Sequence, residues 1–466
     1  MKKIAIFYGA VQNDLQKRAI EELSTILLDY TLEYPVCAPC GDPLENEDFR
    51  RIYIGTKQNN PYIKKISEAQ LTAPESYAIT VGDDTVTIEG FDDAGVLYGV
   101  IDFYNRYIIK FEHPNTEDIR WTNLFAKDKL PAFSYSSAPS VKRRGLWTWG
   151  HVIYDYRQYL HNMMKLKMNS VIIWNDHAPV NAEEIIAYAH SCNIKVYWGY
   201  SWLWGTNCAA VDLNSLEGKS QSIFQKYEQE YAHLGADGIY FQTFTEIWDD
   251  NIRGVIIADA AAKFVNETSA LFFEKYPDME IQFGLHSNSV YNKLDFIKTV
   301  DPRVYIVWEN CGDFPFSYHV GEESFEKTKD FVCDIATLRG KDDRFGVVTK
   351  AIVALDWPSF EHLRGPQCIG VSSEYMRRNR IERKSRIWKN VQATWLVNPD
   401  KAHQMIKHMS DLKNGDLLMC ALVEDGMFEE NIMYPVALYS EMLWSCNEDT
   451  KKLVENVAMR SYVTFA

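Results

Sequence analysis

At 466 residues the chain is too long for a single hydrophobic core, so two or three domains are expected. Hydrophobic residues make up 46% of it, which excludes a disordered chain. Lys and Arg number 49 against 64 Asp and Glu, a net charge of −15, and no nucleic-acid partner is expected of so acidic a surface.

Nine Cys in no regular spacing argue against a disulfide framework and for reduced thiols, as in a cytoplasmic protein. The match Cys37-Ala38-Pro39-Cys40 lacks both the redox context and a second pair, and reads as two loop cysteines. The apolar stretch after Met1-Lys2-Lys3 ends by Gln12 without a cleavage site, so no signal peptide is expected. No apolar run nears the roughly 20 residues that a membrane helix needs. The His spacing and the Asp distribution match no metal motif, and neither a metal nor another cofactor is expected.

Lys3–Tyr8 reads as a strand, Asp14–Leu28 as a helix and Arg51–Gly55 as a strand. Tyr77–Val81 and Thr85–Ile88 alternate around Gly82-Asp83-Asp84, a hairpin. A helix opens at Phe91-Asp92-Asp93-Ala94-Gly95 and runs to about Tyr107, with Asp92 or Asp93 as N-cap. These elements form an α+β N-terminal domain over residues 1–112. Residues 113–143, with Pro114, Pro131 and Pro139, form a connector.

From Arg144 short apolar strands alternate with longer helical patterns. The strands fall at Gly145–Trp149, Ser170–Trp174, Lys195–Gly199, Gly238–Thr243, Glu280–Leu285, Val304–Trp308, Gly346–Leu355 and, weakly, Cys368–Ser372. Eight such units match a (β/α)8 barrel over residues 144–380, followed by a C-terminal helical region, 381–466, packed on it. An open doubly wound sheet would carry a Gly-rich phosphate turn after its first strand, and none is present. The expected fold class is therefore α/β: a TIM barrel preceded by a small α+β domain and followed by helices.

Chemistry on such a barrel sits where strands end. Nine of the 13 Trp fall at these ends, interleaved with Asp, Glu, Asn and His. Aromatic walls around converging polar groups suit a sugar, and carbohydrate is the expected partner; self-association is left open. Trp147, Trp174, Asn175, Asp176, Trp198, Trp202, His286, Asn288, Trp308 and Trp357 are the candidate binding residues. Glycoside hydrolysis needs two acidic groups across the scissile bond. Glu246, set among Phe244, Ile247 and Trp248, is the candidate general acid, since apolar surroundings favour the protonated form. Glu309 and Asp356 rank equally for the second carboxylate, ahead of Asp176, Asp249, Asp313 and Glu374.

Tyr77-Ala78-Ile79-Thr80-Val81 through Ile88, then Asp93-Ala94-Gly95-Val96-Leu97-Tyr98-Gly99, resembles the end of the non-catalytic domain that precedes the barrel in family 20 β-hexosaminidases, family 84 O-GlcNAcase-like enzymes and the α-glucuronidases of families 67 and 115. Arg144-Gly145 and Lys165-Leu166-Lys167-Met168-Asn169 are similar to theirs as well. The resemblance implies a catalytic acidic residue after the fourth strand, the place of Glu246. Family 20 has adjacent Asp and Glu there, so that a substrate acetamide acts as nucleophile; here the pair is Thr245-Glu246, which puts an ordinary two-carboxylate mechanism at least level with substrate assistance. The alternatives are a non-catalytic glycan-binding protein on the same scaffold, β-N-acetylhexosaminidase-type substrate-assisted hydrolysis and, less expected, a sugar-acid lyase or isomerase.

Overall fold

The computed structural model describes every residue except 1, 83, 109–129, 131, 245–246, 248, 310–311, 353–364, 414–415 and 424–426. By internal contacts the chain divides into two compact units. One holds Met1–Ser140 with His190–Asn193 and Glu455–Val463; the other holds Val141–Ala189, Ile194–Val454 and Thr464–Ala466.

The first unit is built on β1 (Lys3–Tyr8), α1 (Asp14–Thr31), β2 (Val36–Pro39), β3 (Phe49–Gly55), α2 (Pro61–Ile66), β4 (Tyr77–Val81), β5 (Thr85–Gly90), α3 (Asp93–Phe103) and β6 (Phe133–Ser137). The sheet order is β2-β1-β3-β5-β4-β6. The first four of these strands run parallel, and β4 is antiparallel to both β5 and β6. Asp92 caps α3 by accepting from the Gly95 amide at 2.8 Å, which ties the helix start to the end of the hairpin. Two readings are corrected here. Cys37 lies in β2 rather than in a loop, and part of the expected connector is the edge strand β6.

The second unit is a closed barrel of parallel strands. In chain order it runs β7 (Arg143–Trp149), α4 (Tyr156–Lys165), β8 (Ser170–Trp174), α5 (Ala182–Ser191), β9 (Lys195–Gly199), α6 (Glu217–Glu230) and β10 (Gly238–Phe241). A small hairpin, β11 (Asn251–Ile252) and β12 (Val255–Ile256), precedes α7 (Ile257–Lys275). Next come β13 (Glu280–His286), α8 (Leu294–Ile297), β14 (Tyr305–Glu309), α9 (Phe325–Ala336) and β15 (Phe345–Thr349). The chain ends with α10 (Glu374–Val397), α11 (Pro399–Leu412), β16 (Leu417–Leu422), α12 (Met427–Glu430), α13 (Tyr434–Trp444) and α14 (Thr450–Ala458), whose residues from Glu455 on fall in the first unit. The ring closes as β7-β8-β9-β10-β13-β14-β15-β16.

The (β/α)8 barrel is thus present, with one correction to its last strand. Cys368–Ser372 makes only an isolated bridge, Val371 to Asp155, and β16 takes the eighth place between β15 and β7. The segment expected to be wholly helical therefore carries a barrel strand.

The strand period of two decides what fills the barrel. Trp147, Trp149, Ile172, Trp174, Tyr197, Tyr240, Tyr305, Val307, Val348, Leu418, Cys420 and Leu422 form the interior cluster. At its floor Arg143, at the start of β7, pairs with Glu280 and, at 3.1 Å, with Asp416. That ionic layer closes the N-terminal end, and the polar groups able to meet a ligand gather at the other.

Candidate active site

Continuing the inward register of the strands past their last interior rings gives Gln242 after β10, His286 closing β13, Glu309 closing β14 and Lys350 just after β15. Together with Trp147, Trp149, Trp174 and Trp204 these four line one concavity of about 320 Å³.

The aromatic wall is made of rings held edge to face. Trp147 meets Trp149 at 4.3 Å between centroids and 83° between planes. Trp174 meets Trp204 at 5.6 Å and 70°, and Tyr240 at 6.2 Å and 75°. Asp176 fixes the Trp174 ring from the loop beyond β8, its Oδ1 accepting from the indole Nε1 at 3.1 Å. Such packing leaves ring faces rigid, as stacking on the C–H face of a sugar requires.

Glu309 lies beneath this wall with its side chain 1% exposed. Its Oε2 is 3.1 Å from Lys350 Nζ, whose own side chain is 2% exposed. Its Oε1 accepts from the Tyr240 hydroxyl at 2.7 Å and from Gln242 Nε2. Gln242 Nε2 also reaches the Tyr240 hydroxyl at 3.0 Å. Burial first, and then the charge of Glu309, push the Tyr240 phenol well above its ordinary range, so it stays protonated and donates. All three partners are donors, matched to the acceptor oxygens of the carboxylate. Gly284 makes room for this arrangement: a Cβ there would stand 1.9 Å from the Tyr240 hydroxyl.

Lys350 Nζ is also 3.1 Å from His286 Nε2. An ammonium group can only donate, so that nitrogen accepts and the ring proton of a neutral His286 sits on Nδ1. A single lysine therefore orients both a carboxylate and an imidazole. The set so built can bind polar groups, hold a fixed negative charge, and keep water from an apolar wall.

Of the residues expected at the site, the structure brings together Trp147, Trp174, His286 and Glu309, with Asp176 behind Trp174. Trp198, Trp202 and Trp308 are fully buried elsewhere, a correction to their expected place beside the substrate. Trp198 and Trp308 fall one residue out of the inward register, and Trp308 packs on Phe316 and Phe331. Trp202 stacks on Phe241 at 3.7 Å and on Phe272 of α7. Asn175 is buried and organises its loop instead, its Nδ2 donating to the His177 carbonyl and its carbonyl accepting from Tyr231. Glu246, Asp356 and Trp357 lie outside the described residues, as does the side chain of Asn288.

The weaker acidic candidates have other surroundings. Asp249 is exposed. Asp313 pairs with Lys401 and accepts from the Phe314 and Gly321 amides, each at 2.7 Å. Glu374 pairs with Arg378 at 2.6 Å within α10. Tyr240, Gln242 and Lys350 were not singled out by sequence, nor were Trp149 and Trp204 separated from their neighbours. The available signal was register: a Lys two residues beyond Val348, in an otherwise apolar strand, has the inward parity. Among the described residues no cluster of three or more His, Cys, Asp or Glu is placed to hold a metal ion, and no helix is long and apolar enough to cross a membrane.

No protein-family model and no curated protein sequence matches the chain. Solved structures do. CpGH84B superposes with a TM-score of 0.57 at 13% identity, over 98% of this chain and 70% of that one. A GH138 enzyme targeting pectin rhamnogalacturonan II gives 0.55 at 12% over 97% and 65%. A β-N-acetylhexosaminidase from Bacteroides fragilis gives 0.53 at 12% over 100% and 93%. At such identities the likeness is one of fold: the chain has the architecture of these glycoside hydrolases, an eight-stranded parallel barrel with a separate sheet domain.

Proposed function

We propose that the protein is a glycoside hydrolase that cleaves an O-glycosyl bond of a carbohydrate seated in the tryptophan-walled basin. The observation that carries this reading is Glu309, a buried carboxylate at the foot of an aromatic wall, fixed by three donors. A protein that only holds a sugar gains enough from ring stacking. Burying a charge and three polar partners costs several kcal/mol before pairing offsets it, and is expected where negative charge serves a reaction. The solved structures that share the fold include enzymes of this class, which adds support.

In this reading Glu246 protonates the leaving oxygen. Glu309, or Asp356 in its place, faces the positive charge that develops at the sugar ring, and water completes the hydrolysis. Thr245 before Glu246 puts two carboxylates at least level with acetamide assistance. The test is a panel of aryl glycosides varied in sugar and anomer. Release of the phenol above buffer, lost in a folded Glu309→Gln variant, is the expected result. Saturable sugar binding with no release across the panel would identify a glycan-binding protein instead.

A further inference from the structure

A second concavity, of about 490 Å³, lies on the far side of the wall that β10 and β13 make for the tryptophan basin. Strand alternation separates the two. Gln242 and His286 face the basin, whereas their neighbours Thr243 and Leu285 face this second space. It extends between β13 and its covering helices, with Phe283 on one side and Ile297 of α8 on another. Side chains normally interdigitate tightly in such a layer. Here, after Ile257, the first turns of α7 present only Ala258, Ala261 and Ala262, and room remains.

The lining is apolar except for Thr243, Ser289 and Lys293. Ser289 Oγ already donates to the His286 carbonyl at 2.5 Å. Lys293 on the rim pairs with Asp250 at 3.3 Å, so its charge is already met. Thr243 is 1% exposed and its Oγ1 has no hydrogen-bond partner among the described residues, an arrangement that native interiors avoid unless something else meets the group. The next residue, Phe244, is held at φ +41°, a left-handed backbone that a bulky residue rarely adopts and that recurs at ligand clamps.

We propose that this cavity receives the apolar aglycone of the substrate, an alkyl chain or aryl ring whose oxygen hydrogen-bonds Thr243 Oγ1. The assignment rests on the glycosidase reading. It places the scissile bond over the shared rim of β10 and β13, between sugar in one concavity and aglycone in the other.

The apolar half can be tested without turnover. Titration with 1-octanol, followed by calorimetry, is expected to show one saturable site. Ala261→Phe fills the space and should weaken it at least tenfold with the melting temperature kept; Thr243→Val should weaken it roughly fivefold, the loss of one hydrogen bond. If Ala261→Phe does not fold, Ala258→Leu is read in the same way. On glycosides of one sugar, the octyl compound should have a KM at least tenfold below the methyl compound, and Ala261→Phe should erase that difference. Absent octanol binding, or binding that Ala261→Phe leaves intact, overturns the site. Equal KM values for octyl and methyl glycosides overturn the aglycone role. Octanol binding beside complete inertness toward glycosides leaves the site standing and instead removes the glycosidase reading on which the word aglycone depends.

Discussion

Lys350 Nζ stands 3.1 Å from Glu309 Oε2, and neither side chain is more than 2% exposed. Breaking a buried pair by removing one partner leaves an uncompensated charge, which costs about 3–5 kcal/mol. Lys350→Met is expected to destabilise the barrel by that amount in urea denaturation. Lys350→Met combined with Glu309→Leu should recover much of the loss, because no charge remains buried. A Lys350→Met cost below about 1 kcal/mol would show that water reaches the pair and that it is not the rigid element described above.

How much of this could be read beforehand follows from the period of two. Seven barrel strands were legible because each is a short apolar run between helical patterns. The eighth was not: Leu417-Leu418-Met419-Cys420-Ala421-Leu422 is buried throughout and has no polar alternation, so beside α11 it reads as more helix. The Trp cluster marks one end of the barrel, but the register within each strand decides which rings face inward. Trp147 and Trp174 share the parity of Tyr240, and Trp198 and Trp308 do not. Lys350 was hidden because its meaning lies in two partners, Glu309 and His286, that are 41 and 64 residues away in sequence and come together only when the ring closes.

Asp176 offers a test of the aromatic wall. Its contact with the Trp174 indole orients a platform. Asp176→Ala is expected to raise KM for a bound sugar about fivefold, the worth of one hydrogen bond, with kcat nearly unchanged. Asp176→Asn keeps an acceptor and should restore KM. A fall in kcat with constant KM would place Asp176 in the chemistry instead.

Glu429 predicts a pH dependence of stability. This buried residue of α12 accepts from the Tyr154 amide at 2.7 Å and so joins the segments that follow β16 and β7. Burial pushes its carboxyl up from 4.5 to about 8. Between those values the folded protein keeps a proton that the unfolded chain has released. Stability therefore falls as pH rises through this window, by at most about 1.4 kcal/mol per pH unit, and levels off above it. Glu429→Gln keeps the acceptor and never ionises. Urea midpoints from pH 5 to 8 should therefore fall less steeply for the variant than for the parent. Parallel curves would mean that Glu429 ionises in the fold without penalty.

The two carboxylate roles can be separated by leaving group. If Glu246 donates the proton, Glu246→Gln keeps its shape and removes that proton. General acid catalysis is worth roughly 100- to 10,000-fold, so turnover of a glycoside with a poor leaving group should fall by about that factor. An activated aryl glycoside departs with little help and should suffer far less. In the proposed mechanism Glu309→Gln acts on the other side of the bond. It replaces a fixed negative charge facing the sugar ring with a neutral amide, and the loss should appear with both substrates, whichever group leaves. The amide also sets an N–H against one of the three donors that held the carboxylate, so folding is to be checked by circular dichroism before rates are compared. Asp356→Asn, measured in parallel, decides between the two candidates: the variant that slows both substrates while remaining folded identifies the second carboxylate. Should Glu309→Gln fold and spare both substrates while Asp356→Asn spares neither, Glu309 is scaffold for Lys350 and His286, and the charge that faces the sugar belongs to Asp356.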